Sequence, residues 1–154
     1  MYTVRRMKAE EADTLGALMF DAIHHGVSHY TSAQRMAWLH VSPRGQQWAT
    51  RLAAQDVWVG VGEDDLLGFV TLDSAGYIDL AYVGAAAQGR GVFAQIYAVV
   101  ERTARARALP RLRTHASLMA QPAFAAQGFH VTQHETVERA GQYLERAEME
   151  KHLT

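Results

Sequence analysis

Two hydrophobic periodicities alternate along the chain, and their order predicts a series of elements. Tyr2 to Met7 reads as a short strand, and Glu10, Glu11 and Asp13 place negative charge where the first turn of a helix favours it. Leu15, Leu18, Met19, Ala22, Ile23 and Gly26 then recur at three- and four-residue spacing, drawing an apolar stripe on a helix to about residue 27. Thr31 or Ser32 is expected to cap a second short helix through Trp38, and Pro43 suits the first turn of a third that carries Trp48, Leu52 and Ala53. From there the period is that of strands. Asp56 to Gly62 predicts a buried strand, Glu63 to Asp65 a turn, and Leu66 to Leu72 its antiparallel partner. One further strand is expected over Tyr77 to Val83, with Tyr77, Asp79, Ala81 and Val83 on one face and Ile78, Leu80 and Tyr82 on the other. Helical spacing returns in Val92, Ile96, Val99, Val100 and Ala104, until Pro110 ends it. A strand over Arg111 to Ala116 follows, then a short helix over Gln121 to Gln127 closed by Gly128. The last two strands, Phe129 to Val137 and Tyr143 to His152, are joined around Ala140 and Gly141.

This order predicts an α/β fold: a mixed, mostly antiparallel sheet of about seven strands flanked by helices, in a single domain over residues 1–154. The length suffices for one continuous core, and 49% apolar with 20% charged residues is the balance of an ordinary folded chain. A formal net charge of −1 gives no overall attraction to nucleic acid or to an anionic membrane, so the expected partner is a small molecule. The absence of cysteine removes disulfides, thiolate metal sites and a cysteine acyl intermediate. No stretch approaches the roughly 20 apolar residues that span a bilayer, and the first residues lack the apolar centre of a signal peptide. A cytoplasmic location is expected.

The strongest local feature is the passage from strand to helix through Ala85-Ala86-Ala87-Gln88-Gly89-Arg90-Gly91. Glycines at a helix entrance let a backbone approach a ligand, while unpaired amides and the positive helix end attract phosphate oxygens. Two glycines before a helix are more often an ordinary turn. The segment also lacks the Gly-Lys-Ser/Thr ending of a nucleoside-triphosphate loop and the full dinucleotide fingerprint.

The order of elements around that segment resembles the GNAT superfamily of N-acetyltransferases over nearly the whole chain. The most specific parts are Gln88-Gly89-Arg90-Gly91-Val92, similar to the superfamily's Arg/Gln-x-x-Gly-x-Gly/Ala signature, and Gly128-Phe129 after the later short helix. Tyr30-Thr31, Gln34, Trp38 and Met149-Glu150-Lys151 are similar to the YafP-type branch of acetyltransferases. The resemblance implies transfer of an acetyl group from acetyl-CoA to a primary amine by direct attack. It implies that Gln88, Gly89, Arg90, Gly91, Val92, Phe93 and Ala94 surround the pyrophosphate, chiefly through backbone amides. It further implies that Ala81, Tyr82 and Val83 hydrogen-bond the pantetheine arm as a pseudo-strand, with the Val83 amide polarising the thioester carbonyl.

Two positions depart from the pattern. Phe93 stands where small residues are usual, so either its ring turns into the core or the cofactor pose is altered. Phe124 stands where many members carry the tyrosine that protonates the departing thiolate. That loss is tolerable, because a thiol of pKa around 8.5 leaves as thiolate near neutral pH. Making a neutral amine is the harder step, since an amine of pKa near 10.4 is almost wholly protonated there. Asp79 and Tyr77 are the candidate bases, with Asp79 about 13 Å along the strand from Val83 at a rise of roughly 3.3 Å per residue, and so acting through water. The competing readings are a strand carboxylate with a structural hydrogen bond and an ordinary sheet aromatic.

His25, His29, Tyr30 and Trp38 gather in the part that usually borders the acceptor in this superfamily and are candidate substrate contacts. His25 and His29 have a four-residue spacing that two metal ligands can use, but no nearby acid completes a zinc motif, and no metal is expected. His115, His130 and His134 read as strand or surface histidines, and Ser117 as a helix cap. Two rival functions stay open: a non-enzymatic acyl-CoA binding or sensing module, and a histidine-based metal binder. A homodimer whose partner chain lines the acceptor cleft is compatible with the sequence.

Overall fold

The computed structural model describes residues 2–154, so Met1 lies outside the described residues. A strand β1 (Thr3–Arg6) leads through a short turn into α1 (Ala12–His25), then α2 (Ser32–Trp38) and α3 (Gly45–Ala53). Strands β2 (Asp56–Val61) and β3 (Leu66–Leu72) are followed by two short strands, β4 (Tyr77–Ile78) and β5 (Ala81–Val83). The long helix α4 (Val92–Ala106), β6 (Arg111–Ser117), α5 (Ala120–Ala126), β7 (His130–Arg139) and β8 (Gln142–His152) complete the order. One sheet runs β1-β2-β3-β5 and the other β4-β6-β8-β7, antiparallel throughout except for β4 with β6.

Several helix boundaries have visible local causes. Thr31 Oγ1 accepts from Gln34 N–H (3.1 Å), and the Gln34 side chain accepts from Thr31 N–H (2.8 Å). This reciprocal box satisfies two amides at the start of α2. Helix α1 ends at His25, with Gly26 already extended, rather than reaching residue 27. Pro43 precedes α3 instead of opening it, and the Asp13 carboxylate accepts from Gly45 N–H at the first turn (3.1 Å).

The expected single strand over Tyr77 to Val83 is two strands in two sheets, which raises the count to eight. Its cause is the division of the core. Ile78 packs with Val100, Leu112 and Met149 in the cluster beneath α4, whereas Leu80 joins Leu15, Leu52 and Phe69 beneath α1 and α3. A continuous pleat cannot send neighbouring same-face residues into two separate clusters, so the chain changes sheet at Asp79. Two buried threonines meet the main-chain groups there. Thr114 Oγ1 donates to Ile78 C=O (2.9 Å), and Leu80 N–H donates to Thr71 Oγ1 (3.0 Å). The two sheets therefore part between β4 and β5.

Candidate active site

The outward edge of β5 faces no strand among the described residues, and of its main-chain groups the Val83 C=O is taken by the Gln88 side chain (3.0 Å). Thr71 N–H donates to Leu80 C=O and Gly84 N–H to Leu67 C=O (both 2.9 Å), with Phe69 opposite Tyr82. Antiparallel alternation then commits the Tyr82 main chain to β3 and turns the N–H groups of Ala81 and Val83 toward the gap. Beyond β5 the chain reaches α4 through Gly89 (φ 77°) and Gly91 (φ 80°). A Cβ at either glycine would meet nothing within 4 Å. The first helical bond runs from Gln95 N–H to Gly91 C=O (3.2 Å), leaving the Val92, Phe93 and Ala94 amides free at the positive end of a 15-residue helix. A groove of about 550 Å³ joins these parts and continues past Ser117, Met119, Ala123 and Phe124.

A second cavity, of about 210 Å³, opens on the other side of Tyr82. Its floor is the polar face of the second sheet and its roof is α2 and the loop before it. Tyr30 fixes that roof: its hydroxyl donates to Glu145 C=O and accepts from Leu118 N–H (3.1 Å). Trp38, Tyr82 and Ser117 line both spaces, so the groove and the cavity meet at these three residues.

Within the cavity Tyr77 and His115 form a short hydrogen bond, hydroxyl to Nδ1, of 2.6 Å. His115 Nε2 faces Glu135 (3.4 Å) and Glu148 (3.6 Å). Ionised carboxylates only accept, which assigns the hydrogen to Nε2 and makes Nδ1 the acceptor from Tyr77. Burial raises the Tyr77 pKa, so its hydroxyl stays protonated in the absence of a partner that takes the proton. Asp79 lies in the same lining but is held by Arg51 in a bidentate pair (2.8 and 2.9 Å) and by Gln55 (3.2 Å). Burial alone would raise the Asp79 pKa, yet the hydrogen bonds from Arg51 and Gln55 and the Arg51 charge outweigh it and lower it. A carboxylate so held is a weak base.

Residues 26–153 match the family profile described as "Acetyltransferase (GNAT) domain". The chain belongs to the GNAT acetyltransferase family. It is 26% identical over 142 residues to the uncharacterized N-acetyltransferase YafP of Escherichia coli K12, covering 92% of this chain and 89% of that relative. A GCN5-related N-acetyltransferase from Rhodopseudomonas palustris superposes with a TM-score of 0.90 at 28% identity, over 98% of this chain and 95% of that one. YncA of Salmonella typhimurium, solved with acetyl-CoA, shares the fold with a TM-score of 0.70 at 16% identity, over 100% of this chain and 95% of the other. As a GNAT domain the chain is an acetyl-CoA-dependent N-acetyltransferase. The open glycine turn, the free helix amides and the outward N–H groups of Ala81 and Val83 fit the pyrophosphate and the amide-bearing arm of that cofactor.

The sequence-derived residues distribute unevenly over the GNAT domain. Ala81, Tyr82, Val83, Gln88, Gly89, Gly91, Val92, Phe93 and Ala94 all line the groove, whereas the exposed Arg90 does not. The Gln88 side chain is already committed, accepting from Val27 N–H (3.1 Å) and donating to Val83 C=O (3.0 Å), so it braces the strand instead of reaching a phosphate. The Phe93 ring turns against Tyr97 and Phe124, with centroids 5.9 and 5.1 Å away. Tyr77 and Asp79 line the cavity, but the break after Asp79 removes the shared strand face with Val83 and the 3.3 Å rise that measured it. Tyr30 and Trp38 line the cavity, His29 borders the groove, and His25 lies outside both, paired with Asp21 (3.0 Å). Because α1 ends at His25, it shares no helix with His29. Ser117 Oγ accepts from Ala120 N–H (3.2 Å) at the start of α5 and also lines both spaces.

His115, Arg139 and Arg146 were missed as cavity residues. The signal available for His115 was the alternation of polar Arg113, His115 and Ser117 with buried Leu112, Thr114 and Ala116. Two histidine and carboxylate groups cluster within 4.8 Å among the described residues: His115 with Glu135 and Glu148, and His130 with Glu150 and His152 on an outer face. No helix among the described residues is long and apolar enough to cross a membrane.

Proposed function

We propose that the protein acetylates a small primary amine held in the cavity between Tyr77 and Trp38, by direct attack and without an acyl-enzyme. The observation that carries this reading is the meeting of groove and cavity at Trp38, Tyr82 and Ser117. When bound, acetyl-CoA supplies the activated acyl carbon. The outward N–H groups of Ala81 and Val83 hold its arm, and the amides of Val92, Phe93 and Ala94 with the turn at Gly89 and Gly91 hold its phosphates. The Val83 N–H is the donor aimed at the carbonyl oxygen.

The proton of the amine leaves through Tyr77. Its oxygen accepts from the amine while its own hydrogen passes to His115 Nδ1, and Glu135 and Glu148 stabilise the imidazolium that results. Asp79 in this reading orients Arg51. The leaving thiol, with a typical pKa of about 8.5, needs no obligatory acid at Phe124.

Incubating the protein with acetyl-CoA and a panel of amines tests the proposal through release of free thiol. His115→Gln should lower kcat by about 10²–10⁴-fold, the usual worth of a positioned base. Acetyl-CoA affinity should stay within about twofold, since the relay lies outside the cofactor groove. Tyr77→Phe should move kcat in the same direction. An unaltered kcat and pH profile in His115→Gln would remove the relay. Tight acetyl-CoA binding with no thiol released for any amine would favour the sensing module instead.

A further inference from the structure

The acceptor cavity carries more hydrogen-bond donors than its own residues use. Three guanidiniums line it, those of Arg51, Arg139 and Arg146, against the single lining carboxylate of Asp79. Arg51 spends Nε and Nη2 on Asp79, and Arg146 spends the same two nitrogens on Glu135, leaving one Nη1 group of each without a partner among the described residues. Arg139 has no hydrogen-bond or ion-pair partner among the described residues. A simple amine would leave the Arg139 guanidinium without a partner. A carboxylate matches the planar fork of that guanidinium and neutralises it.

The positions of the cations set the shape of the ligand. Tyr77 and His115 are half-buried at the inner end, whereas Arg139 is exposed at the mouth, beside the hairpin turn of β7 and β8. Arg139 stands four residues along β7 from Glu135, the partner of Arg146, which is about 13 Å at a rise of roughly 3.3 Å per residue. Val137 and Leu144, paired across the hairpin, supply an apolar floor between them.

Taking the cavity as the acceptor site, as proposed above, we infer that the acceptor is a primary amine with a carboxylate at its far end. An ω-amino acid or a dipeptide has this form. The amine enters toward Tyr77, the aliphatic body lies on Val137 and Leu144, and the carboxylate binds Arg139 at the mouth.

The test uses matched acids and amides: 4-aminobutanoate and 4-aminobutanamide, 6-aminohexanoate and 6-aminohexanamide, glycylleucine and glycylleucinamide. Each is titrated calorimetrically into the protein with coenzyme A present, and each is assayed for thiol release with acetyl-CoA. At least one acid should bind about tenfold more tightly than its amide. Arg139→Gln should reduce that ratio about tenfold, and raising the salt should reduce it too, because the guanidinium is exposed. Arg102→Gln, the same charge change on the outer face of α4, should leave the ratio as in the wild type. Equal binding of acid and amide in every pair would overturn the inference, as would a preference that survives Arg139→Gln. Acid-selective binding with no thiol release would sustain the carboxylate site while removing the cavity as the place of acetyl transfer, so the two claims fail separately.

Discussion

Phe124 is a ring without a hydroxyl at a position where many GNAT members carry the acid, and its surroundings explain why a ring is retained. Its centroid lies 5.1 Å from Phe93 and 5.0 Å from Phe129, each contact edge to face, and the side chain is buried. Such pairs add about 0.5–1.5 kcal/mol beyond area burial. The two departures from the family pattern, Phe93 and Phe124, are thus one packing unit at the groove wall. Asp79 is the complementary case, a carboxylate in the cavity whose oxygens are already taken. Asp79→Asn should lower stability by about 1 kcal/mol, because the Arg51 pair is partly exposed. It should leave the pH–kcat profile unchanged, and a profile displaced by this variant would return Asp79 to the role of base.

The turn before α4 is where local sequence and function coincide most closely. Gly91 adopts φ 80° with open space where a Cβ would project, so Gly91→Ala combines backbone strain with intrusion on the ligand side. It should cost about 1–2 kcal/mol of stability and also weaken acetyl-CoA binding. Gly45 is a matched control: it has φ 83°, nothing within 4 Å, and a place outside both spaces. Gly45→Ala should show the stability loss alone, and equal loss of acetyl-CoA affinity in both variants would remove the phosphate role from the turn. This turn was legible in the sequence because glycine, helix entrance and preceding strand are all local signals. The helices, the β2–β3 hairpin and the β7–β8 hairpin were legible for the same reason. The break in Tyr77 to Val83 was not, because an uninterrupted alternation gives no sign that Ile78 and Leu80 belong to different clusters. Nor was the Tyr77–His115 pair, which joins residues 38 positions apart through the β4–β6 pairing.

On the scale of the molecule, Glu101 ties α4 to the last strand. Its carboxylate accepts from Lys151 (2.6 Å), Tyr97 (2.7 Å) and Arg105 (3.1 Å). Burial alone would raise its pKa, yet these three partners hold it at about 2, below the ordinary 4.5. A depressed carboxyl contributes its stabilisation fully above about pH 4.5 and loses it as pH falls toward about 2. Glu101→Gln should therefore melt at a lower temperature than the wild type near neutral pH, with the gap closing as the solution is acidified. A gap independent of pH would exclude this linkage. The buried threonines Thr71 and Thr114 have a consequence for ligand energetics. By answering the Leu80 N–H and Ile78 C=O, they let the two sheets stand apart before anything fills the space between them. If acetyl-CoA binds there as proposed, it meets a slot that is already open, and its binding free energy is not diverted into prying strands apart.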